Sequence, residues 1–165
     1  FFAPPPAKGT SGAYARQQPY LNNVRYTQDQ WLGQWPAAQQ EADRERTIQA
    51  VRESDVLWRL EGQEHLTLVG ILMSTEHLTV GTITLLPGQQ TDVHTHGGDE
   101  GLYLREGTLN VRVPEHNGVR WHELKAGDGF YIPQGEPHQY YNISGQPATL
   151  VFGVAPDYLP RASDT

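Results

Sequence analysis

From residue 56 to residue 154 the chain is written in short stretches of period two, and this rhythm narrows the possible folds more than any other feature. Alternation of apolar and polar side chains every second residue is the mark of a half-buried strand. Such stretches fall at 56–60, 65–73 and 77–86, then at about 101–105, 108–113, 119–124, 129–132, 138–143 and 148–154. Turn-forming residues separate them: Glu61-Gly62, 74–76, Glu106-Gly107, 115–118, 126–128 and 144–146. The 17 glycines and 12 prolines of this 165-residue chain suit that punctuation. No alternation of strand and helix is visible, which argues against a parallel sheet. Eight to ten short strands of this spacing predict an all-β, double-sheet jelly roll. The absence of an internal repeat argues against a duplicated barrel.

One run inside this region carries chemistry. His94 and His96 are one residue apart, and Glu100 follows four residues later. In an extended strand, side chains at i and i+2 project to one face, so the two imidazoles can share a space. Gly97 and Gly98 let the chain bend and return Glu100 to them. Two imidazoles and a carboxylate converging on one point are the protein half of a transition-metal site. A second run, Gly127 to Asn142, holds His138 behind Pro133 and Gly135.

Together the runs read G-x5-H-x-H-x3-E-x6-G, from Gly88 to Gly107, and G-x5-P-x-G-x2-H-x3-N, from Gly127 to Asn142. These are the paired motifs of the cupin superfamily, which the chain resembles by motif over about 78–143 and by strand pattern over about 55–158. The resemblance implies a double-stranded β-helix and a metal site of His94, His96, Glu100 and His138. His138 enters that set mainly through the resemblance. It also implies a divalent transition metal, with Fe(II) or Mn(II) favoured and Zn(II), Ni(II), Co(II) or Cu(II) open. Dioxygenases, decarboxylases, isomerases, epimerases and lyases all occur among cupins, so the motif does not choose a reaction.

Alternation also assigns neighbours. With His138 facing inward, Tyr140 and Asn142 share its face; with Glu100 inward, so do Leu102 and Leu104, while Tyr103 points away. Phe130 and Ile132, or Tyr131 instead, would complete the wall, and Thr82 and Thr84 would add hydroxyls. Tyr140 and Glu136 are the first candidates for a catalytic acid or base, Tyr140 being equally readable as barrel filling. Asp99 and Gln90 are candidates to orient an imidazole. His65, His77, His116 and His122 lack partners at useful spacing and read as strand or loop residues. Gly88, Gly107, Gly127 and Gly135 fall where strands turn and where positive φ is often required.

Residues 1–26, rich in Pro, Gly, Ala and Gln, read as an arm, with Phe1, Phe2, Tyr14 and Tyr20 as contacts if it docks on a partner. Residues 27–54 read as the one helical segment, packed on a cupin domain at 55–160 with Trp31 and Trp35 as anchors; 161–165 read as a tail. Net charge is −7 without a dense Lys/Arg run, so nucleic acid and anionic membranes are poor partners. The absence of cysteine excludes disulfides and thiolate ligands. The compartment stays open, the cytoplasm being favoured. Two functions fit: a metal-dependent enzyme on a small polar substrate, or a non-catalytic module binding a sugar or small metabolite with the metal as clamp or pin. An exposed sheet edge at 56–60, or the arm, predicts a homodimer.

Overall fold

The computed structural model describes residues 48 and 50–160. Among them are nine strands: β1 (Leu57–Glu61), β2 (Thr67–Ser74), β3 (Thr79–Leu85), β4 (Asp99–Glu106), β5 (Thr108–Glu115), β6 (Gly118–Lys125), β7 (Gly129–Ile132), β8 (Gln139–Tyr141) and β9 (Ala148–Ala155). All pairings are antiparallel, in a six-stranded sheet of order β1-β2-β3-β9-β4-β7 and a three-stranded sheet of order β6-β5-β8. Residues 88–94 widen the smaller sheet, bridging β8 through Gln90 to Tyr141 and His94 to His138. From β3 onward the chain crosses repeatedly between the two sheets, which is the jelly roll that the alternation predicts.

The core lies between the sheets and is built by that alternation. In β4, Leu102 and Leu104 are buried while Tyr103 is half-exposed on the outer face. Ile71 and Val69 of β2, Leu109 and Val111 of β5, and Leu150 and Val154 of β9 join them in one cluster. Ile132 is buried, Phe130 packs on the cluster edge and Tyr131 points out.

The turn glycines behave as their positions require. Gly88, Gly107, Gly127 and Gly135 all have positive φ. At Gly107 (φ 81°) a β-carbon would also run into the Pro147 carbonyl, so the site excludes other residues twice over. Gly98 serves differently. A β-carbon there would strike the Ala155 carbonyl, so close approach to the end of β9 demands glycine.

Strand ends shift for local reasons. β2 starts at Thr67, because the backbone just before it turns onto the Asp92 carboxylate. β8 ends at Tyr141, because the Asn142 side chain is drawn to the carbonyls of Leu85 and Gln146. The arm at 1–26, the tail at 161–165 and the helical segment as far as 47 lie outside the described residues, as do Trp31 and Trp35. The segment's far end is not helical. Arg52 is extended (φ −89°, ψ 162°) and a single 3-10 turn at Glu53–Asp55 leads into β1. No helix among the described residues is long and apolar enough to cross a membrane.

Candidate metal centre

The site is assembled where the 88–94 segment meets β8. His94 and His138 exchange backbone hydrogen bonds, N–H to carbonyl at 2.9 and 3.0 Å, so their side chains stand side by side with ring centroids 4.2 Å apart. His96, two residues on, brings its ring to 5.2 Å from His94. The two share a space although residues 91–98 form no regular strand beyond the His94 bridge. The chain then bends at Gly97 and Gly98 and enters β4, where Glu100 sits between Ile132 of β7 and Val154 of β9. One ligand atom from each of His94, His96, Glu100 and His138 lies within 4.8 Å of all the others.

Each imidazole is fixed by a backbone carbonyl. His94 Nδ1 donates to Asp92 O at 2.9 Å, His138 Nδ1 to Glu136 O at 2.9 Å, and His96 Nδ1 to Tyr158 O at 2.6 Å. With Nδ1 as the donor, the neutral ring presents a bare Nε2 lone pair. Glu100 Oε2 lies 3.1 Å from His138 Nε2 and 3.3 Å from His96 Nε2, while its Oε1 accepts the Tyr140 hydroxyl at 2.8 Å. Glu100 Oε2 and His138 Nε2 are both buried and have no hydrogen-bond partner. Two buried acceptors that close are stable only with a cation or a shared proton between them. Metal–ligand bonds of about 2.0–2.2 Å would need ligand atoms at about this separation. The residues fit a divalent transition metal.

The same groups set the charges of the metal-free site. Burial, then the His138 and His96 rings, hold His94 down at about 3, so it is neutral at any ordinary pH. For Glu100, burial pushes upward, but the His138 and His96 imidazoles outweigh it and hold the carboxyl well below the usual range. For His96, burial pushes downward, but Glu100 outweighs it and raises the imidazole above its ordinary value. Burial and then the Glu100 charge push Tyr140 well above the ordinary phenol value, so its proton stays on the hydroxyl and is directed at Glu100.

A cavity of about 700 Å³ opens above these groups, lined among others by Thr67, Val69, Ile83, Phe152 and Tyr158. Its rim is the turn between β1 and β2. There the Asp92 carboxylate accepts the backbone N–H groups of Gln63, Glu64 and His65 and pairs with His65 Nδ1 at 2.9 Å. Asp92 thus holds the rim with its side chain and His94 with its carbonyl. Tyr158 has a matching role: its carbonyl takes His96, and its hydroxyl donates to Glu61 Oε2 at 2.8 Å, while Glu61 Oε1 faces Arg59 Nε at 3.4 Å.

Several expected neighbours stand elsewhere. The Glu136 side chain is exposed and does not line the cavity; its carbonyl is what reaches the site. Asp99 accepts Gln134 N–H rather than an imidazole, and Gln90 contacts His65 Nε2 rather than a ligand. His65, expected to be without partners, is clamped between Asp92 and Gln90 on the cavity wall. His77 and His116 are exposed, and His122 packs on Phe130. Thr82 donates to the Leu150 carbonyl and Thr84 bonds Thr149, so neither serves the site. Asn142 is buried but spent on the carbonyls of Leu85, at the end of β3, and Gln146. Sequence reasoning passed over Asp92, Glu61 and Tyr158. An acid two residues before a candidate ligand was a usable signal for the first; nothing local marked the others.

Residues 81–154 match a family model described as Cupin domain. No curated protein matches the chain. Among solved structures, a Klebsiella pneumoniae protein with a double-stranded β-helix domain is 23% identical, covering 66% of this chain and 89% of its own, with a TM-score of 0.53. The polyketide cyclase RemF of Streptomyces resistomycificus is 22% identical over 69% of this chain and 83% of its own, with a TM-score of 0.57. BH2720 of Bacillus halodurans is 24% identical over 55% and 71%, with a TM-score of 0.50. At these identities the likeness is one of fold.

Proposed function

The chain belongs to the cupin superfamily, and from that premise we propose that it is a metal-dependent enzyme acting on a small polar substrate. The site is mononuclear, with His94, His96, Glu100 and His138 as ligands. The observation that carries this is the pair of buried, unpartnered acceptors, Glu100 Oε2 and His138 Nε2, 3.1 Å apart beneath a cavity that His94, His96 and Glu100 line and that is large enough for a substrate. Iron(II) or manganese(II) is the favoured ion, since three histidines and one glutamate commonly go with them among cupins; the donor set itself, imidazoles and a carboxylate without thiolate, is open to other divalent transition metals. Bound there, the ion supplies a Lewis acid or, as iron, a centre for oxygen chemistry.

The chain's own residues set up the rest. Backbone carbonyls aim three imidazoles inward, and Tyr140 turns one Glu100 oxygen aside so that the other faces them. Val69, Ile83 and Phe152 give the cavity an apolar stretch of wall. Tyr140 acts on Glu100 rather than on substrate, because its only proton is already donated. The reaction is of dioxygenase, isomerase, decarboxylase or lyase type. Of these, isomerase and lyase chemistry need a proton carrier, and His65, oriented by Asp92 on the cavity wall, is better placed than the exposed Glu136.

Elemental analysis of the purified full chain, followed by oxygen uptake after anaerobic loading with Fe(II), tests the proposal. One equivalent of metal is expected, lost in Glu100→Ala and His138→Ala. A folded parent protein that takes up no stoichiometric ion sinks it. A single redox-inert ion with no turnover on any substrate class would favour the binding-module reading instead. We also propose a homodimer through the β1 edge, where Trp58 and, diagonal to it on β2, Leu68 stand half-exposed; a monomer in light scattering at micromolar concentration refutes it.

A further inference from the structure

The walls of a cavity select its ligand as much as the ion at its floor, and here they carry charge of one sign. Glu61, Glu64 and Asp92 line the cavity together with Glu100, and among the described residues no lysine or arginine does. Glu61 is offset by Arg59 behind it, and Asp92 is turned onto the backbone of the rim. An anionic group projecting from the ion toward the rim would therefore meet carboxylates and no fixed cation. Glu64, whose side chain is exposed, adds a repulsion that solvent and salt weaken in part.

Between floor and rim one part of the lining is apolar. Phe152 and Tyr158 stack, ring centroids 5.7 Å apart and 22° between planes, and the Tyr158 ring lies 4.9 Å from that of His96. Val69, Ile83 and Leu159 continue this apolar part. A volume of about 700 Å³ is far more than a two-carbon or three-carbon acid requires. It falls in the ~300–1,000 Å³ range of pockets that enclose drug-sized ligands.

We infer that this cavity takes an uncharged, ring-bearing molecule that offers oxygen donors to the ion and an apolar face to Phe152 and Tyr158, and that it rejects anionic substituents at the rim. The inference rests on the metal-dependent reading above and narrows its small polar substrate to an uncharged one.

The test uses the full chain loaded with cobalt(II), whose visible bands report coordination. Two probes share one chelating end: benzohydroxamic acid and its 4-carboxylate. Both should perturb the bands, the 4-carboxylate with at least tenfold weaker affinity. Glu64 stands on the cavity rim with an exposed side chain, and its contact with Asp92 is made by its backbone N–H, so Glu64→Lys changes the rim charge and should keep the fold. That variant should narrow the difference at least threefold while leaving the uncharged probe unaffected. Equal or tighter binding of the 4-carboxylate, bands that neither probe moves, or a difference indifferent to Glu64→Lys overturns the inference and leaves the metal site standing. A parent protein that takes up no cobalt at all removes the metal reading, and the inference with it.

Discussion

Replacing Tyr140 with phenylalanine removes one oxygen and nothing else. The ring is fully buried and its packing is retained, so the change isolates the 2.8 Å hydrogen bond to Glu100 Oε1. Glu100 is 2% exposed and its other oxygen has no hydrogen-bond partner, so the variant leaves a buried carboxylate without its hydroxyl donor. Hydrogen bonds to charged groups contribute about 1.5–3 kcal/mol. The metal-free Tyr140→Phe protein should therefore be less stable by ~2 kcal/mol, read from the urea midpoint at unchanged slope. Metal affinity should fall as well, because the carboxylate is no longer turned edge-on to the histidines and is easier to protonate. Loss of a group that orients a ligand typically costs 10–100-fold in affinity, or about 1.4–2.7 kcal/mol, which matches the hydrogen-bond figure reached separately. Cobalt(II) titration against a competing chelator measures it. Affinity within twofold of the parent, together with an unmoved urea midpoint, would refute the reasoning that Tyr140 serves Glu100.

Asp92→Ala removes the acceptor for three backbone N–H groups and the His65 ring; a loss of at least ~2 kcal/mol in urea denaturation is expected, with weaker cobalt binding through the loosened His94. Ion binding at neutral pH should release up to one proton, because His96 is raised above 6.5 beside Glu100 while His94 is already neutral; pH change in weakly buffered solution reads this directly. Stability of the metal-free protein should fall as pH drops from 6.5 toward 3, since the unfolded chain takes a proton at His94 that the folded one refuses. Glu100, depressed in the fold, adds loss of the same sign below 4.5, whereas the raised His96 stabilises below 6.5 and loses that contribution as pH rises. Urea midpoints across this range, flatter in His94→Gln, decide the matter. Gly107→Ala should cost at least ~2 kcal/mol, from left-handed strain and the blocked Pro147 carbonyl, and a near-normal midpoint would contradict the turn geometry.

What the sequence determined by itself is what depends on local rules. Alternation fixes which of Leu102, Tyr103 and Leu104 faces the core, because the pleat has period two whatever the neighbouring strands are. The four turn glycines were legible for a similar reason, since φ is a property of the residue's own backbone. His94, His96 and Glu100 were legible as a convergent set from spacing and one bend. Tertiary structure alone decided the rest. His138 reaches His94 through a pairing across more than forty residues, which spacing does not encode. The imidazoles are oriented by the carbonyls of Asp92, Glu136 and Tyr158 rather than by Asp99 or Gln90. Every residue carries a carbonyl, so such a partner leaves no trace in residue identity. Tyr158, just beyond β9, and Glu61, at the end of β1, are 97 positions apart, yet together they hold His96. Only the closing of the two sheets brings them together, and only then do the acids of the rim and the apolar wall define one cavity.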